Sequence, residues 1–214
     1  MHVHTMWPTP AVMPTVTADV VEQYPPAMLA LPQVATALAR KEEVPSAGRH
    51  LRTRPRTLHL VDLENLLNGR VDAHSVAEVW DEYQRVTGMC EDDHVIVSVS
   101  QRNAVATFFS LPAAVQRIIG SNEADGADHA LLEAIDIAWT ARRFGQVMVA
   151  TGDGIFTPVA ACLHARGLQM VQVIGGGKPA TSLYRQCAMQ LYLTAAQRRV
   201  QARRRVELAA LIAA

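Results

Sequence analysis

The chain has few of the groups on which many functions are built. Cysteine occurs only three times in 214 residues, at Cys90, Cys162 and Cys187. Three widely spaced cysteines make neither a zinc pattern nor a disulfide framework. They read as reduced thiols of a cytoplasmic protein. No apolar run reaches the ~18 residues of a membrane span, so no membrane partner is expected. The N-terminus lacks a basic stretch followed by an apolar one, which argues against a signal peptide. Formal net charge is zero, so the molecule as a whole is not an obvious polyanion binder. There is no internal repeat, no Gly-x-Gly-x-x-Gly fingerprint and no Ser-His-Asp spacing.

Half of the residues are hydrophobic, enough for a proper core. Three regions differ in composition. In residues 1–56, the seven prolines from Pro8 to Pro45 break any long element. This segment reads as largely disordered, with a short helix over 27–40. His2 and His4 read as exposed tail residues. Residues 57–193 alternate between apolar strands and amphipathic helices. Residues 194–214 form a helix bearing Arg198, Arg199, Arg203, Arg204 and Arg205. The two tails are the candidate contacts for a homo-oligomer or a protein partner.

Within the middle region, strands are expected near 57–62, 94–100, 115–119, 146–151 and 168–174. Helices are expected over 74–87, 104–110, about 123–143 and the stretch to 166. The last strand is followed by helices over 181–193 and 194–214. This alternation predicts an α/β fold, with helices on both faces of a central parallel sheet of about five strands. In such a sheet the carboxyl ends of all strands lie along one edge, where function gathers.

That edge collects carboxylates. The first strand, Leu58-His59-Leu60-Val61, ends in Asp62, Glu64 and Asn65. Asp128 opens a long helix, after Glu123 and Asp125. The fourth strand ends in Thr151-Gly152-Asp153. The topology brings Asp62, Asp128 and Asp153 together. Clustered carboxylates repel one another unless a cation or proton intervenes. Hard divalent cations take such oxygen ligands, and a cation there activates water and neutralises phosphoryl charge. Arg102 at the second strand end and Lys178 after the fifth are candidate substrate-phosphate contacts. The glycines before Lys178 read either as a close approach to phosphate or as a plain turn. His59 and His129 read as structural neighbours.

The motifs resemble those of the NYN family of PIN-domain-like nucleases. Asp62-Leu63-Glu64-Asn65 is similar to its first-strand end. Gly126-Ala127-Asp128 is similar to its Gly-x-Asp motif at a helix start, and Thr151-Gly152-Asp153-Gly154-Ile155-Phe156 to its Ser-Gly-Asp-x-Asp-Phe stretch. The resemblance spans about residues 57–193. It implies a PIN-like three-layer α/β/α sandwich and a ribonuclease dependent on Mg2+ or Mn2+ that acts on RNA. Asp62, Asp128 and Asp153 would be catalytic metal ligands. Asn65 would orient the first-strand turn or contact a metal-bound water, and Thr151 would hold the fourth-strand loop. The chain departs from the family in two places. Ile155 stands where the family has a second Asp, and Asp125 stands where many relatives are basic. Asp125 or Glu123 then supplies the missing charge, or the domain binds RNA or protein without cutting. A receiver-like domain is the third reading. The third strand end, Gly120-Ser121-Asn122, lacks the acceptor aspartate that it needs.

Overall fold

The first strand, β1 (Thr57–Asp62), is buried along its whole length. A run with no exposed face needs cover on both sides, and a central strand of a parallel sheet provides it. The computed structural model describes residues 55–213. The leader up to residue 54, with its expected helix over 27–40 and the two tail histidines, lies outside the described residues.

Past β1, a single turn, α1 (Leu63–Leu66), leads through a loop to α2 (Ala73–Thr87). Asp72 caps α2 by accepting from the Ser75 N–H, and Gly88 closes it with a left-handed φ of 60°. Then come β2 (His94–Ser100), α3 (Ala104–Phe108) and β3 (Gln116–Gly120). The chain continues through α4 (Gly126–Glu133), α5 (Ile137–Arg143), β4 (Gln146–Ala150), α6 (Thr157–His164) and β5 (Gln169–Ile174). It closes with α7 (Thr181–Gln186), β6 (Met189–Tyr192) and α8 (Thr194–Ala213).

All strands are parallel, in the order β3-β2-β1-β4-β5-β6. One layer, α2, α3 and α8, covers the face of Val61, Val97 and Val173. The other, α4 to α7, covers the face of Leu58 and Leu60. The three-layer α/β/α architecture is therefore present. The strand order reverses direction between β1 and β4, and such a switch point opens a crevice at the carboxyl edge.

Three elements differ from the sequence reading. The sheet has six strands rather than about five. Its extra strand, β6, falls where the helix over 181–193 was expected, because α7 stops at Gln186 and Cys187 turns into extended backbone. The long helix over 123–143 is two helices. Asp136 breaks it by adopting extended backbone and capping α5, its carboxylate accepting from the Trp139 N–H at 2.8 Å.

The Arg-rich helix α8 docks through buried Ala196 and Val200 and through two of its arginines. Glu82 of α2 accepts the N–H groups of Ala195 and Ala196 and so caps it. Arg203 donates to Ser75 Oγ at 2.6 Å and pairs with Glu78 at 3.3 Å. Arg204 donates to the carbonyls of Leu67 and Arg70. Arg198, Arg199 and Arg205 stay exposed. Among the described residues, no helix is long and apolar enough to cross a membrane.

Candidate active site

A groove of about 580 Å³ lies at the carboxyl edge, at the switch point. Asp62, Asp125, Asp128 and Asp153 line it, together with Glu64, Arg102 and Lys178. Every residue that the sequence reading singled out for the site thus lies on this edge, except Thr151, which is buried just beneath it.

Local structure fixes each carboxylate. Asp62 ends β1 and caps α1: Oδ1 accepts from the Asn65 N–H at 3.1 Å, and Oδ2 from the Thr151 hydroxyl at 3.0 Å. The Thr151 Oγ1 also accepts from the Asp153 N–H, at 3.1 Å. Asp153 in turn accepts from the Ile155 N–H at 3.0 Å, which seats it at the head of a tight turn. Asn65 joins the two strand ends by accepting from the Gly152 N–H at 2.7 Å. Asn65 thus touches both the first-strand turn and the fourth-strand loop, and Thr151 touches both strand ends.

Asp128 reaches the site because α4 starts unusually close to β3. A side chain on Gly120 would overlap the carbonyl of Gly126, and one on Gly126 would overlap Ser121. The preceding Asp125 adopts a left-handed φ of 56°, which Asp tolerates better than most residues. This backbone places a carboxylate from Asp125 beside those of Asp128 and Asp153. One oxygen of each lies within 4.8 Å of the others, a spacing that could hold a metal ion.

Asp62 stands next to this trio and is linked to Asp128. Burial pushes Asp128 up to about 8, and the charges of Asp62, Asp153 and Asp125 add to it. Burial also raises Asp62, against the donors from Asn65 and Thr151. We assign the shared proton to Asp128, because Asp62 already has two protein donors. The Asp128 Oδ1 is buried and has no hydrogen-bond partner among the described residues. Such an atom is costly unless it meets a proton or a cation. The donor set, all hard oxygen, suits a hard divalent cation.

The groove also has a basic side. Burial opposes ionisation of Glu64, but the hydroxyl and N–H of Ser100 and the Asn103 amide outweigh it and lower its pKa. That network secures the β2 end. The Arg102 N–H donates to Asn122 at 2.8 Å, which tethers the residue at the groove. Lys178 follows the glycine run. Gly175 has no room for a side chain against the Leu66 backbone, and the Gly176 N–H donates to the Leu66 carbonyl at 3.1 Å. These two glycines are therefore there for packing, and only Gly177 is open.

The histidines stand apart. His59 is fully buried on the opposite face of β1, with Nδ1 2.8 Å from the Tyr83 hydroxyl and Nε2 3.5 Å from Asp93. His129 is exposed. Sequence reasoning missed Gln172, whose amide donates to the Thr151 carbonyl at 2.9 Å from within β5. Its signal was a lone amide inside an apolar strand.

Set against known proteins, the chain matches no family model and no curated protein. The resemblance to the NYN family therefore rests on the three sequence motifs alone.

Proposed function

We propose that this domain is an NYN-like endoribonuclease that hydrolyses RNA phosphodiester bonds with Mg2+ or Mn2+. The observation that carries the reading is the trio Asp125, Asp128 and Asp153 beside the proton-sharing Asp62, with Arg102 and Lys178 on the same groove. Asp128, Asp153 and Asp125 would hold the ion. When bound, the ion supplies Lewis-acid chemistry, lowering the pKa of water and neutralising charge on a phosphoryl oxygen.

The protein's own groups do the rest. Arg102 and Lys178 bind phosphate oxygens and set the strand across the groove. The proton that Asp128 releases on ionising goes to water. Thr151 and Asn65 hold β1 and β4 in register, so that the carboxylates need not reorganise. Three widely spaced cysteines fit reduced thiols and a cytoplasmic location.

Ile155 favours a second reading. The 153–156 turn offers one carboxylate where the family has two, and a domain short of charge could bind RNA without cutting it. Cleavage of a labelled RNA pool by the full chain, with Mn2+, with Mg2+ and with chelator, decides between them. Metal-dependent cutting that is lost in Asp128→Asn supports the nuclease. RNA binding without cutting under any of these conditions supports the second reading.

A further inference from the structure

The edge opposite the groove holds a second cavity. It measures about 380 Å³ and lies where α4 gives way to α5, above the starts of β1, β2 and β3. Leu58, Ile96 and Ile135 make its apolar part, and His94, Trp139 and Thr140 line it as well. Pockets for small molecules run from roughly 300 to 1,000 Å³. This one is at the lower end and suits one ring system with its substituents.

Two independent observations indicate what enters it. Thr140 is fully buried, and its hydroxyl has no hydrogen-bond partner among the described residues. A helical threonine can return its hydroxyl to the carbonyl one turn back, and this one does not. Gln116 and Asp136 also line the cavity; the Gln116 Oε1 meets His94 Nε2 at 3.0 Å and the Asp136 Oδ1 caps α5, which leaves the Gln116 amide nitrogen and the second Asp136 oxygen for the edge of a planar ligand.

The second observation is a cluster of three rings, His94, Trp139 and Phe144, with a guanidinium over two of them. Trp139 packs edge-on against Phe144 at 5.4 Å and His94 at 6.1 Å. The guanidinium of Arg143 lies over Trp139 at 5.3 Å, and that of Arg56 over Phe144 at 5.1 Å. Arg143 is exposed. An apolar slot with aromatic walls, an unspent hydroxyl and adjoining guanidiniums has the chemistry of a base with an attached phosphate.

We propose that this cavity is a nucleotide site. The base lies against Trp139 with its edge toward Thr140 and Gln116, and the phosphate meets Arg143. The nucleotide is either free or part of an RNA strand. The site uses none of the acidic groove's residues and stands whether or not that groove cuts.

The test is equilibrium dialysis of the full chain in chelator against labelled adenosine and cytidine 5′-monophosphates, with ribose 5-phosphate as the control. Saturable binding of a nucleotide at millimolar concentration or below is expected, and none of ribose 5-phosphate. The isosteric Thr140→Val should weaken it about three- to tenfold, and Trp139→Leu about tenfold or more. A short RNA that displaces the nucleotide identifies a strand as the source, and one that does not identifies the free nucleotide. Either result supports the site. No saturable binding overturns it, as does ribose 5-phosphate binding equally well, or full affinity in both variants. Because no cleavage is read in chelator, failure here is distinct from failure of the nuclease reading.

Discussion

Thr151 joins two aspartates with one hydroxyl. Its Oγ1 donates to Asp62 at 3.0 Å and accepts from the Asp153 N–H at 3.1 Å. It thereby fixes the ends of β1 and β4 relative to each other. Thr151→Val keeps the shape and removes both bonds. It is expected to cost about 1–3 kcal/mol of stability, through the buried groups left unpaired. Mn2+ affinity should fall with it, and Thr151→Ser should restore both. Urea unfolding and Mn2+ titration read the two effects.

The proton on Asp128 makes stability depend on pH. Its carboxyl is at about 8 when folded against an ordinary 3.8. Between these values the folded chain binds more protons than the unfolded one, so stability falls as pH rises. In chelator, the urea midpoint should therefore fall from about pH 4 to about pH 8 and level off above that. Asp128→Asn should flatten this slope. Mn2+ should oppose it in the wild type, because the ion replaces the proton.

Asp93 shows the opposite sign. Burial opposes its charge, but His59 and the N–H groups of Cys90 and Thr57 outweigh it and hold the carboxyl well below the usual range. The resulting stability is present above about pH 4 and is lost as pH falls below that. Asp93→Asn is expected to cost about 1–3 kcal/mol at neutral pH and less in acid. Chemical unfolding at the two pH values measures the difference, and equal losses would count against the pairing.

Glu82 is almost fully buried, and its carboxylate caps α8 from a different helix. Glu82→Ala leaves the first N–H groups of α8 without an acceptor. A loss of about 1–3 kcal/mol is expected, with faster amide exchange concentrated in α8 and at the adjoining Arg70 loop. Exchange that stays unchanged in α8 would show that its arginines and buried residues suffice to dock it.

The strands of the sheet's centre were legible because β1, β2 and β4 are continuous apolar runs ended by polar residues. The acidic edge was legible for the same reason, since parallel topology converts strand ends into neighbours. β6 was not. Met189–Tyr192 is short, half-exposed and only two residues beyond a helix, so it reads as that helix continuing. The break at Asp136 was hidden because apolar residues run on both sides of it. The partnership of His59 with Asp93 joins a strand to a distant loop, and no local pattern carries such a contact.

Gln197 of α8 donates to the Leu66 carbonyl at 2.6 Å, next to the asparagine that ties β1 to β4. Leu66 therefore waits for a helix that leaves the ribosome after all the strands. A chain made at roughly 5–20 residues per second holds its sheet before it holds this clasp. The turn that follows β1 is thus clasped from a helix made after every strand of the sheet, beside the donor it already has in the Gly176 N–H.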